Sequence, residues 1–461
     1  MRKYIPLLLA LCLFLTAAGC GSNSSPAADA AAAESEPLPL ATTQIAEAAT
    51  QTVQDTPLPA FQKTATLEPT VLYDENNLKI TATELSYNNY SAKLNILIEN
   101  NSQKSMKFIC ESMAYSCNSV NDYMIEDGYL NCTVEPGKKA NDSISFSIQE
   151  LMLHGIYEIS ELEIGFDISD EDHNNIYTGP LHLQTSAFDQ QKVKDTYYLD
   201  TLTNPGFMKE MEFSIPFTSQ EVFYDENGIR ILSACLLQNV DGEQVLIMEA
   251  ENTTDDMIIL SACNVSLNGL CTEPHRHTSL TMNPGKRGFL TISPDSAMEA
   301  PFRKRFGIEQ IGSIGVQLEI HDTDWNLIAE SDEIAVNISQ ETSVIDTSGT
   351  EVYNQDGLKI ISKGIVEDSS EYSKNQHILL LAINDSEQPV KIDDIYDSVS
   401  VNGFMTDYYF HGQNLPAGKS GIVRIELTDA SLEENKIESI SEVEIGIDIG
   451  TDSEITLNIA Y

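Results

Sequence analysis

Asp167, Asp170 and Asp172 crowd the end of the alternating stretch Ile159–Ile168 (ISELEIGFDI), with Glu171 among them. Carboxylate oxygens at that density suit a hard cation such as calcium. Similar acids stand at Glu319, Asp322 and Asp324, and again at Asp448, Asp452 and Glu454. The spacing lacks the glycine that a calcium loop places at its sharp bend, so an acidic turn bonding to its own backbone is the competing reading. Cys271, His275 and His277 bring a thiol and two imidazoles within reach of one zinc or copper ion. The matching loops near Met124 and Met405 lack that set, which favours a solvated loop. Cys117 and Cys132 are the pair expected to bridge a hairpin if a disulfide forms; otherwise the thiols read as small buried apolar groups. Arg303, Lys304 and Arg305 form the one dense basic run, either a grip on an anionic polymer or a solvated helical turn. Gly418-Lys419-Ser420 ends like a phosphate loop, but Gln413 stands where that loop needs its first glycine. No G-x-S-x-G, no H-E-x-x-H and no repeated Ser/His/Asp set is present, so neither an enzyme nor a cofactor is expected.

The elements that would hold these residues recur three times. ISELEIGFDI returns as ISEVEIGIDI at Ile440–Ile449 and more loosely as IGSIGVQLEI at Ile311–Ile320. Its period of two predicts a strand with one packed and one wet face. Upstream, Tyr73-Asp74-Glu75-Asn76-Asn77 matches Tyr224-Asp225-Glu226-Asn227-Gly228 and Tyr353-Asn354-Gln355-Asp356-Gly357, each a tight hairpin signal. A buried strand then ends at Asn100, Asn252 or Asn384 in an Asn-x-Ser/Thr triplet, which reads as a turn leaving the strand. A Val/Leu-Asn element follows at Asn121, Asn268 and Asn402, then a turn carrying Gly137-Lys138, Gly285-Lys286 or Gly418-Lys419. Asn121 and Asn402, Gly137 and Gly418, and Ile159 and Ile440 are each 281 positions apart. Such constant spacing marks a duplicated domain.

About seven strands with turn signals every ten or so residues predict an all-β fold of three tandem immunoglobulin-like antiparallel β-sandwich domains. Their expected bounds are 71–186, 222–339 and 351–461, with linkers 187–221 and 340–350. The longer linker carries an alternating stretch, Met211–Ile215, that predicts an added edge strand. At 461 residues, a chain of about three domains is in keeping with ordinary domain sizes. Acidic residues outnumber basic ones 71 to 26, a negative surface that excludes nucleic acid as a partner.

Arg2 and Lys3 precede a short apolar run, Ile5–Thr16, and then Ala17-Ala18-Gly19-Cys20. The run is too short for a lasting membrane helix and predicts a signal peptide over 1–19. LTAAGC resembles a bacterial lipobox, with Ala17 where leucine is commonest; an ordinary secretory signal is the alternative. The resemblance implies diacylglycerol modification of Cys20 and attachment to the membrane through it. Residues 20–70, rich in Ala, Thr, Pro, Ser and Glu, predict a disordered tether. The lipobox, hairpin, Asn-turn, Gly-Lys and ISEVEIGIDI motifs together resemble tandem domains in surface lipoproteins of Clostridia-type Gram-positive bacteria. That resemblance covers roughly Val71 to Tyr461 and implies an extracellular β-sandwich array with no assigned activity. The expected function is therefore non-enzymatic. A lipid-anchored protein on the outer face of the cytoplasmic membrane would engage an envelope or host macromolecule, or alternatively calcium or a small ligand.

Overall fold

The computed structural model describes residues 57–110, 117–194, 197–274, 276–339, 343–367, 374–450 and 454–461. The expected signal peptide, Cys20, His275 and Asp452 lie outside the described residues.

Each repeat opens on the expected hairpin. Strands Thr70–Glu75 and Leu78–Tyr87 are joined through Asn76 and Asn77, both at positive φ (55° and 61°). Asn227-Gly228 (53° and 77°) and Asp356-Gly357 (53° and 81°) make the same turn. Two left-handed residues in succession match the twist of the flanking strands, which is why Asn, Asp and Gly recur there. The next strand, Ser91–Asn100, buries Ala92, Leu94, Ile96 and Ile98, and Gln244–Asn252 and Gln376–Asn384 take its place in the later repeats.

The asparagine ending each of these strands is fully buried. The Nδ2 of Asn384 donates to the carbonyls of Gln388, Leu415 and Pro416, while its Oδ1 accepts from the amide and hydroxyl of Ser386. Asn100 and Asn252 do the same with Ser102 and Thr254. The triplets are turn locks, and a side chain so enclosed has no room for a glycan.

The second sheet is built on the ISELEIGFDI strand. Glu161–Asp170 pairs with Asn175–Gln184, Met106–Cys110 and Ser119–Val120, with Leu162, Ile164, Phe166 and Ile168 fully buried. A second asparagine holds the start of this strand. Asn121, at φ 53°, accepts from the amides of Ser160 and Glu161, and Asn268 and Asn402 repeat the clasp on Ser313 and Glu442. The chain is thus all-β, and each repeat packs two sheets against each other.

The sheets do not stop at the repeat boundaries. A 4-stranded sheet opens the first repeat and a 6-stranded sheet closes the third. Between them lie two 11-stranded sheets, each made of the second sheet of one repeat and the first sheet of the next. The ordered part also begins earlier than the expected tether end at residue 70. Phe61, Ala65 and Leu67 are buried in the first core, and the Gln62 amide donates to the Tyr157 carbonyl at 2.7 Å. The expected linker 187–221 is likewise structured. Its strand Phe213–Ser219 pairs with Ile229–Asn239, and its Tyr198, Leu199, Leu202 and Phe207 cover Cys235, Leu237, Val245 and Ile247. Among the described residues no helix is long and apolar enough to cross a membrane.

Replacing Asn384 with Ala strands buried carbonyls and frees the turn after it, so urea unfolding should show a loss of about 2–3 kcal/mol. Ser386→Ala, at the solvent side of the same turn, should cost no more than about 1 kcal/mol.

Candidate functional site

The three aspartates do not converge. Asp170 and Asp172 both accept from the Lys104 ammonium, at 2.5 Å and 2.8 Å, so a lysine already supplies the positive charge there. Asp170 also accepts from the Asp172 amide and from the backbone and side chain of Asn174. Hydrogen bonds from Lys104 and Asn174 hold its carboxyl well below the usual range. Asp322 repeats this turn with Asp324 and Asn326. These are self-bonded acidic turns. Asp167 lies on the strand, its Oδ1 buried without a partner and its carboxyl pushed up by burial. No group of three His, Cys, Asp or Glu among the described residues could hold a metal ion.

The expected Cys117–Cys132 bridge is not formed: neither residue is in a disulfide, nor are Cys110, Cys235, Cys263 and Cys271, and the Cys110 and Cys263 thiols donate to Asn118 and to the Gln317 carbonyl. Cys132 faces Phe108 across a strand pair, whereas Cys117 is seated at the backbone of Gly165 and Gly179. A Cβ built on Gly165 would lie 2.6 Å from the Cys117 sulfur, so glycine makes the room for that thiol. The basic run is largely engaged, with Arg303 on Asp295 at 2.7 Å and Arg305 donating to the Ile365 carbonyl of the third repeat.

Charge is instead concentrated where one repeat meets the next. At the first joint, the hairpin strand Tyr123–Met124 lies parallel to the strand beginning at Arg287, whose amide donates to the Asp122 carbonyl at 2.8 Å. Tyr123 is fully buried and its hydroxyl donates to Glu249 at 2.6 Å. The Arg287 guanidinium sits 4.3 Å from the Tyr123 ring and bonds Asp122 and Glu249. Lys286, from the Gly-Lys turn, reaches back to Glu161 at 2.6 Å and Glu163 at 3.5 Å. Burial alone would raise the Glu161 carboxyl, but Lys286 and His182 more than offset it and the net shift is downward. Met124 joins the core of the second repeat. His154 stacks on Phe289 at 4.6 Å, and full burial pushes its imidazole down to about 4.

The second joint repeats the plan with other residues. Leu270–Cys271 pairs in parallel with Ser420–Gly421, and Lys419 bonds Glu333 at 2.8 Å. Arg424 makes a two-point pair with Glu273, which also accepts from His411 Nδ1 at 2.9 Å. Burial raises the Glu273 carboxyl, yet His411 and Arg424 hold it down at about 2. Arg424 further bonds Glu426 and His377, so two histidines and two glutamates surround one guanidinium. Beside this network opens a cleft of about 440 Å³ whose walls include Glu273 and Pro274 of the second repeat and Lys391, Phe410, His411 and Asn414 of the third. Lys391 is paired with Asp393 at 2.9 Å, so the charges facing the cleft are matched within the protein. Glu273, His411 and Arg424 carry no mark in the linear order beyond an arginine set between apolar strand residues in Gly421–Leu427.

No family model matches the chain, and no curated protein matches it. Among solved structures it is similar to an exo-chitosanase of Amycolatopsis orientalis in complex with PNP-β-D-glucosamine, at 9% identity and a TM-score of 0.18, over 50% of this chain and 26% of that one. It therefore spans about a quarter of that enzyme's length. It is also similar to a bacterial ice-binding adhesin, at 10% identity and a TM-score of 0.13, over 80% of this chain and 88% of that one.

His154 makes the first joint sensitive to acid. Its imidazole protonates near 6.5 when unfolded but only near 4 in the fold, so its contribution is complete above pH 6.5 and is lost as pH falls toward 4. Full expression of that shift is worth about 3 kcal/mol. His154→Gln should lower stability at pH 7 and flatten the fall between pH 6.5 and 4 in denaturation curves taken at each pH.

Proposed function

We propose that the protein is a non-enzymatic interaction module of the cell envelope, lipid-anchored through Cys20, which offers the cleft at the second joint to a polar group on a surface polymer. The observation that carries this reading is the joint itself. Walls from two repeats are held in one arrangement by the Glu273–Arg424 pair and a shared sheet, and interfaces between domains are where ligand clefts concentrate. A cleft whose charges are already matched suits a neutral, hydrogen-bonding ligand such as sugar hydroxyls, with Phe410 supplying an apolar surface. The lipobox resemblance and the tether composition support the placement outside the cell.

The soluble fragment 57–461 should be retained on intact cells or on isolated wall polysaccharide, and the paired change Lys391→Ala with Asn414→Ala should reduce that retention. Equal retention by the variant, or none by the parent, would rule the reading out. Calcium or its chelator should leave the melting temperature unchanged.

A further inference from the structure

In the first two repeats the second and third residues after the asparagine of the Val/Leu-Asn element, Tyr123–Met124 and Leu270–Cys271, form a short strand that pairs with the next repeat. Tyr123 and Leu270 are fully buried there, and Met124 is 6% exposed. The same hairpin exists in the third repeat, Ser400–Val401 with Phe404–Met405, and among the described residues no strand pairs with the outer edge of Phe404–Met405. Phe404 is 53% exposed and Met405 61%. One strand further in, beyond Ser400–Val401, stand Glu442 and Glu444, both exposed, at the positions where Glu161 and Glu163 receive Lys286 in the first joint.

We infer that this hairpin edge is a docking site for the exposed β-edge of another polypeptide, one that carries adjacent basic residues followed by an apolar residue. The inference rests on the interaction-protein reading but uses a face apart from the cleft. The occupant would add a parallel strand along Phe404–Met405, place its cations on Glu442 and Glu444, and cover the phenyl ring and thioether. Both internal joints are templates, since a turn lysine, Lys286 or Lys419, precedes each receiving strand, which continues to an apolar residue, Phe289 or Ile422; in the first joint Arg287 makes the basic residues adjacent.

A second copy of this chain does not meet the requirement. Among the described residues its open receiving face is that of the first repeat, where Lys93, Asn95 and Asn141 replace the Val245, Ile247 and Phe289 of the second. That end has the lysines, Lys138 and Lys139, but not the apolar surface. Phe404 and Met405 match the Tyr123-Met124 pair more nearly than Leu270-Cys271, so the strand that receives Tyr123 indicates the preferred occupant.

A direct test uses fragment 57–461 labelled with ¹³C at the methionine methyls and titrated with a synthetic peptide of residues 283–292 (NPGKRGFLTI). The Met405 resonance, assigned through Met405→Leu, should move saturably with peptide. Glu442→Gln with Glu444→Gln should weaken the binding at least about threefold. Phe404→Ser should abolish the shift while leaving the other methionine signals in place, which separates lost docking from lost folding. An unmoved Met405, or an equal shift with a peptide carrying Lys286→Glu and Arg287→Glu, would overturn the inference. Sedimentation showing self-association that Phe404→Ser removes would assign the face to a second copy and overturn it too. Failure here leaves retention through the cleft to stand or fall by its own variants.

Discussion

The amide of Arg287 bonded to the carbonyl of Asp122 is a single hydrogen bond, yet the arrangement of the three repeats turns on what it represents. A β-sandwich leaves strands at the edges of its sheets, and each edge is a row of backbone groups that must be paired, covered or kept wet. Here the edge of one repeat's second sheet is passed to the next repeat's first sheet, once at Tyr123 and once at Leu270–Cys271. The parallel pairing determines the orientation of the next repeat. It also explains why the first sheets of the later repeats are apolar on both faces. Ile378 and Leu380 serve the third repeat's own core, while Leu379 and Leu381 serve the core of the second.

Charge does a different task at these seams. A chain with 71 acidic and 26 basic residues has few cations to spend, and a set of them lies at the joints: Lys286, Arg287, Lys419 and Arg424. Buried pairs of this kind add little net stability compared with well-packed apolar residues, but leaving one member alone is costly. Their physical effect is to penalise every orientation in which Glu161, Glu249 or Glu273 would be enclosed without its partner. The apolar contacts hold the repeats together, and the ion pairs select the angle.

Much of the architecture was legible in the linear order because it is written in local rules. Positive-φ turns demand Asn, Asp or Gly, which is why three hairpins could be placed from Asn76-Asn77, Asn227-Gly228 and Asp356-Gly357. The alternation in Ile159–Ile168 follows from a strand buried on one face, and Asn100, Asn252 and Asn384 mark turns because an enclosed amide can bond several backbone groups together. The joints were not legible, since Glu273 and Arg424 lie 151 positions apart and meet only through the parallel register of two short strands. The aspartates misled for a related reason. Asp170 and Asp172 look like a cation site until Lys104, from a different strand connection, is placed between them. Cys117 and Cys132 are near in sequence, but the space glycine leaves at Gly165 and Gly179 draws the first thiol elsewhere.

The brevity of the seams has a mechanical consequence. Within the first repeat, Ser91–Asn100 is stitched to Lys138–Ser147 through ten residue pairs, whereas the first seam has one pair and the second has two. Tension applied between the two ends of the chain loads all of these in series. Ladders this short resist little by themselves, so under load the joints rely on the apolar residues lent across them, Met124 at the first and Leu379 and Leu381 at the second, and on the ion pairs of Arg287 and Arg424. Parting a joint would therefore uncover those lent side chains, while the faces that each outer repeat packs against itself, such as Ile378 and Leu380 in the third, stay enclosed.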